Sequence, residues 1–170
     1  MKWFMICATV MMLAIVVSMG CFSQITFKSN IEDNLKLAGD APNVERANVF
    51  LIKALNAMEA RGLTRGNSAI IFHMPTQDIG IWYEQIKGAQ QTTAKIIKQE
   101  QAGLPVPQLE RDNALMKIRE TVMDQGKEGV VVTAPDNAWL YPFQLIFYSL
   151  ICLTLLFGVI AALIVAADTY

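Results

Sequence analysis

Charge is scarce in this chain. Asp, Glu, Lys and Arg make up 17% of its 170 residues, against roughly 25% in soluble domains. The scarcity is local, because residues 3–27 and 137–167 hold no charged side chain at all. The chain has one histidine and three cysteines, with no Cys-x-x-Cys spacing. That excludes zinc, iron–sulfur and dithiol sites of the motif kind. A net charge of −1 without a basic run excludes nucleic acid as a partner. No nucleophile elbow is present. Gly62-Leu63-Thr64-Arg65-Gly66 is glycine-spaced but lacks the lysine of a phosphate loop, so it reads as a turn. With 54% hydrophobic residues, the chain is neither a simple soluble globule nor a disordered tail.

The uncharged ends are what the sequence has in place of motifs. Residues 3–27, bracketed by Lys2 and Lys28, are long enough to cross a hydrocarbon core of about 30 Å as a helix. A cleaved signal peptide and a lipoprotein box at Ser18-Met19-Gly20-Cys21 are the alternatives. The run is longer than a signal core, and the residue three before Cys21 is not a branched aliphatic, so a retained anchor is expected. The second span is expected over 142–167. Its centre, Leu145 to Ala167, runs 23 residues without a charge, and summed insertion energies favour spanning by several kcal/mol. Pro142 suits a first helical position. Trp3, Trp139, Tyr141, Tyr148 and Tyr170 sit where membrane-interface aromatics belong.

Neither span holds an ionisable acid, base or histidine, which argues against a proton relay or ion path. Thr154, Gly158, Ala162 and Ala166 recur every four residues, and Ala14 and Ser18 form a lesser version in the first span. Small residues at that spacing predict a helix-packing face. Two spans put both termini on one side of the membrane. Lys2 and the α-amino group favour the cytoplasmic side, with the domain outside in the manner of a signal anchor. Lys28, Lys36 and Lys127 pull weakly the other way. The expected location is therefore a bacterial inner membrane with a periplasmic central domain.

Residues 28–136 form that domain. Helical spacing places Val44, Ala47, Leu51, Leu55 and Met58 on one stripe over 43–61, ended by Gly62. A second helix is predicted over 77–101 with Ile79, Trp82 and Ile86 inward, and a third over 108–125 with Leu115, Ile118 and Val122 inward. A short helix over 31–37 continues the first span. Two apolar runs near 69–74 and 129–134 read as strands. Each follows a helix and a glycine turn and precedes a proline, which suggests an α-β-α duplication whose two strands pair. The expected fold is a mainly α membrane protein. Two transmembrane helices flank a compact helical α+β domain with a small two-stranded sheet.

Chemistry is hard to find. His73 and Met74 could ligate haem iron or copper, but a site needs more donors, and no cofactor or metal is expected. Acids such as Glu84, Glu100 and Asp112 alternate with Lys87, Lys98 and Arg111, as on a solvated helix face with local ion pairs. Trp82 and Tyr83 read as core, with a partner-contact role as the alternative. The functional expectation is a non-catalytic accessory or scaffold subunit of a larger membrane complex, its partners lipid and other integral subunits. A ligand-binding sensor acting through a separate partner and a homo-oligomeric pore or array are the alternatives.

Overall fold

The first apolar run forms a helix that outlasts its apolar character. In the computed structural model, which describes residues 2–71, 73–126 and 129–167, helix α1 spans Lys2–Phe27. It passes through a π-helical turn, Lys28–Glu32, straight into α2, Asp33–Gly39. The short helix expected over 31–37 is thus the far end of one rod. The second apolar run forms α6, Gln144–Ala167. Both are long and apolar enough to cross a membrane. Helix α6 starts two residues later than 142, because residues 140–143 form a turn closed by Phe143 N–H donating to the Leu140 carbonyl at 2.8 Å.

Between them lie α3, Val44–Ala60, α4, Ile79–Gln101, and α5, Gln108–Val122. Their ends follow from single residues. The Asn43 side chain caps α3 by accepting from Arg46 N–H at 2.9 Å, and Asp78 caps α4 by accepting from Ile81 N–H at 2.9 Å. Helix α3 stops at Gly62, whose φ of +74° is open to glycine. Gly62 and Leu63 then donate back to the Glu59 and Met58 carbonyls, the paired closure that satisfies a helix end. Helix α4 ends the same way at Gly103 and Leu104.

The core is built on the continued first helix. Phe27, Ile31, Leu35 and Ala38 are buried against Leu51, Ala54 and Met58 of α3, Ile79, Trp82 and Ile86 of α4, and Ile118 and Val122 of α5. Trp82 and Tyr83 are 4% and 6% exposed and pack inside this core. Removing any fully buried member of this set, such as Ile86, would cost about 2–5 kcal/mol.

The two-stranded sheet is present, but one strand comes from elsewhere. Strand β1, Met123–Gly126, pairs antiparallel with β2, Gly129–Val132, with Met123 opposite Val132 and Gly126 opposite Gly129. The strand near 129–134 is therefore shorter than expected. The run 69–74 contains no strand among its described residues. Its backbone is held as a loop instead. Asn67 accepts from Ala69 N–H through its side-chain oxygen and donates to the Met74 carbonyl, so a side chain takes over bonds a strand would need. The loop closes with Ser68 N–H on the Gln77 carbonyl and Ile79 N–H on the Gly66 carbonyl, both at 2.9 Å. Helix α5 correspondingly ends at Val122 rather than Gln125, and Met123 is already extended at φ −130°. Pairing with a neighbour in sequence needs a far shorter loop closure than pairing across 60 residues. The α-β-α duplication is not a feature of this fold.

Tyr83 supplies a test of the α3–α4 contact. Its hydroxyl donates to Glu59 Oε1 at 2.6 Å. Chiefly through that bond, and then through desolvation and the Glu59 and Glu84 charges, its pKa is pushed up to about 12. The folded chain thus holds the phenol proton more tightly than the unfolded chain, whose tyrosines titrate near 10. The bond's stabilisation is fully present below about pH 10 and fades as pH rises towards about 12. Tyr83→Phe is expected to cost about 1 kcal/mol at neutral pH. Thermal unfolding of the full chain in detergent should show this gap between parent and variant closing as the pH is raised through that window.

Candidate functional site

The features that set this fold apart lie at the junction between the helical domain and the two apolar helices. Three of its fastenings link residues far apart in sequence. The first is Arg61, the residue that ends α3. Its Nη1 donates to Thr26 Oγ1 at 3.0 Å, and its Nη2 donates to Ser23 Oγ at 2.8 Å and to the Trp139 carbonyl at 3.1 Å. Ser23 Oγ itself donates to the same Trp139 carbonyl at 2.6 Å. One guanidinium therefore joins α1, α3 and the 3-10 turn Ala138–Leu140 that leads into α6. It also lies 5.7 Å from the Phe27 ring centroid, a cation–π distance. Burial pulls its pKa below the ordinary guanidinium value. The group nevertheless stays charged, and the hydroxyl and carbonyl oxygens of Thr26, Ser23 and Trp139 solvate it.

The second fastening is Tyr141, whose hydroxyl donates to the Arg65 carbonyl at 2.8 Å. The ring lies so close to Gly66 that a Cβ there would sit 2.9 Å from Tyr141 Cζ, and the Gly66 φ is +103°. The third is Gln144, the first residue of α6, which donates to the Asn67 carbonyl at 3.2 Å.

Below the junction the two apolar helices pack antiparallel. The ring of Phe147 rests on Gly20, and Gly158 faces Thr9. These two contacts lie eleven residues apart along each helix, so one register serves both. The seam is lined by Val16, Gly20, Thr154 and Ala161, all buried. Of the expected stripe, Thr154 and Gly158 face α1. Ala162 and Ala166 are exposed and, with Ile6 and Val10, line a crevice of about 460 Å³ beside the seam. A step of four residues turns about 40° past a full helical turn, so a strict four-residue stripe drifts off the contact and Ala161 replaces Ala162. Ala14 and Ser18 point away from α6. The Ser18 hydroxyl donates to the Ala14 carbonyl of its own helix at 2.7 Å.

The aromatic residues divide. Trp3 stands free on the surface of α1. Trp139 is half-buried and meets Phe147 edge-on at 6.1 Å, so it closes the junction from within. Tyr148 is partly exposed beside Phe147. Tyr170 lies outside the described residues.

A second feature opens next to this junction. The loop 68–77 stands off from the first turns of α6, leaving an open groove of about 950 Å³. Ile70, Ile71 and Met74 form one wall, and Leu145, Tyr148, Cys152, Leu153 and Leu156 the other. Ser68, Gln77 and Asn137 also line it. Ile71 is 78% and Met74 53% exposed, although both are apolar. The side-chain oxygens of Gln77 and Gln144 are buried and have no hydrogen-bond partner among the described residues.

Other candidates come to less. His73 is exposed on this loop. Among the described residues no three His, Cys, Asp or Glu side chains gather into a metal-binding group. Cys7, Cys21 and Cys152 are free thiols on the surfaces of α1 and α6. Of the expected local ion pairs, Lys87 with Glu84 lies within one helix, whereas Arg111 with Glu100 links α5 to α4 and Arg119 with Asp40 links α5 to the end of α2. No protein family, curated protein or solved structure matches the chain. Sequence reasoning missed Arg61, whose one visible signal is a basic residue just before a helix-ending glycine.

Two variants test the junction. Arg61→Leu would leave the Trp139 carbonyl and Ser23 without their charged donor, at an expected cost of about 1.5–3 kcal/mol. Arg61→Lys should recover only part, because an ammonium cannot reach three separate acceptors in a planar fork. Gly66→Ala should cost about 1–3 kcal/mol through backbone strain alone. Thermal unfolding of the detergent-solubilised chain reads all three.

Proposed function

We propose that this chain is a two-span membrane protein and a non-catalytic scaffold subunit of a larger integral membrane assembly. In this reading both apolar helices cross a bacterial inner membrane, both termini are cytoplasmic, and the helical domain stands on the periplasmic side. Neighbouring subunits are gripped by the outer faces of the helices and by the docked domain.

The observation that carries the reading is the set of fastenings at the junction. Helix α1 runs unbroken into the domain core, and Arg61, Tyr141 and Gln144 lock the approach to α6 onto the same body. A scaffold must hold geometry between membrane and domain, and this is how a chain of 170 residues can do it. The apolar side chains on the outer faces, among them Phe4, Met11, Phe22, Leu155 and Val159, are exposed in the single chain. They suit lipid or neighbouring helices as surroundings. Self-association into an array is the second reading, favoured by the apolar crevice at Ala162 and Ala166.

Two measurements test this. The chain should stay in the pellet after alkaline carbonate washing of native membranes, and release would end the membrane reading. Extraction in a mild detergent should then recover it with other integral proteins. Migration solely as a monomer would refute the scaffold role. An Ala162→Cys variant that cross-links to a second copy and to nothing else would move the assignment to a homo-oligomer.

A further inference from the structure

The loop 68–77 stands beside the first turns of α6, and its tip is apolar where it is exposed. We propose that this tip is a further membrane contact of the domain, placing Ile70, Ile71 and Met74 in the upper part of the domain-side leaflet. The proposal rests on the reading that α6 spans a bilayer and extends it to a segment outside both spans.

Depth is the first argument, and it names the surroundings. The two stems of the loop are tied to each other, Ser68 N–H to the Gln77 carbonyl and Ile79 N–H to the Gly66 carbonyl. They are also tied to the first residue of α6, because Gln144 donates to the Asn67 carbonyl. Beyond that tie, Ile70, Ile71 and Met74 face Leu145, Tyr148, Cys152 and Leu156 across the open groove. All four lie on the spanning side of Gln144. The first apolar helix gives the same level independently. Gly20 meets Phe147, so in the antiparallel register Ile25 stands near the height of Pro142, and Ile25 is exposed. The apolar outer surface of α1 thus reaches the height of the loop's base. If α6 spans, the tip lies within the same layer as the exposed faces of both helices, and lipid is what that layer contains.

Composition agrees with that depth. From Gly66 to Gln77 there is no Asp, Glu, Lys or Arg, and His73 is the one titratable side chain. Charge resumes at Arg65 and Asp78, on the two stems. Ile70, Ile71 and Met74 are left out of the domain core and stay exposed. Immersing them removes their apolar surface from water.

The backbone is the third argument, because irregular chain is tolerated near lipid only where its polar groups are satisfied. Asn67 serves the Ala69 N–H and the Met74 carbonyl with one side chain. Gln77 N–H donates to the Met74 carbonyl and Asp78 N–H to the Pro75 carbonyl, and Pro75 has no N–H to satisfy. A turn bonded in this way sits at headgroup level while its apolar side chains reach deeper.

The test uses the full chain with Cys7→Ala, Cys21→Ala and Cys152→Ala, reconstituted in phosphatidylcholine vesicles and carrying one nitroxide on an introduced cysteine. Collision with oxygen, which concentrates in lipid, is compared with collision with a water-soluble nickel chelate. Leu156→Cys marks the bilayer and Val49→Cys, on the exposed face of α3, marks water. The Ile71→Cys label should favour oxygen over nickel several-fold more than the Val49 label does, at a depth shallower than the Leu156 label. Adding Ile71→Asp should move a Met74→Cys label towards the nickel-accessible side. Nickel access at Ile71 equal to that at Val49, with Leu156 still protected, would overturn the proposal and leave the membrane reading standing. Nickel access at Leu156 as well would end both. An Ile71 label shielded from both reagents, and released on dilution with excess lipid, would assign the tip to contact with a second copy instead of lipid.

Discussion

One unbroken helix governs the architecture. Residues 2–39 change from mainly apolar to amphipathic without a cap, a glycine break or a proline to end the helix. The chain therefore carries its first apolar segment directly into the domain, and Phe27, Ile31, Leu35 and Ala38 become the surface on which α3, α4 and α5 pack. The π-helical turn at Lys28–Glu32 does not interrupt the rod. The domain thus has no separate base of its own. Its core is completed by the helix that anchors it.

Arg61 solves the opposite problem, which is bringing the second apolar helix back to the first. The chain leaves the hairpin at Val132 and must reach the start of α6 beside Gly20. The 3-10 turn at Ala138–Leu140 exposes a backbone carbonyl, that of Trp139, in a partly buried place. An unpaired carbonyl there would be costly, and a guanidinium already fixed at the end of α3 satisfies it together with Ser23 and Thr26. The same cation gains from the carbonyl-rich C-terminus of its own helix. Removing it therefore disturbs three elements at once.

Much of this was legible in the sequence because it is local. Asn43, Gly62 and Gly103 mark helix ends by chemistry that acts within a few residues, and the two uncharged runs need only be counted. The differences arise where composition does not decide which groups meet. The run at 69–74 has strand-like composition, but whether it pairs depends on Asn67 and Gln77 closing it as a loop. Met123–Gly126 has little strand character and pairs because β2 follows at once. Thr154 is buried and Gly158 lies beside Thr9 while Ala162 is exposed, because a repeat of four is not the period of a helix. Arg61 was invisible because its partners lie 35 to 78 residues away.

The unbroken rod also has a mechanical meaning. In a bilayer, the tilt of a spanning helix answers to the thickness of the hydrocarbon layer. A joint between helix and domain would absorb such a tilt. Here the same rod supplies Phe27, Ile31, Leu35 and Ala38 to the domain core, so on the reading that α1 spans a bilayer its lean and the domain's orientation would change together.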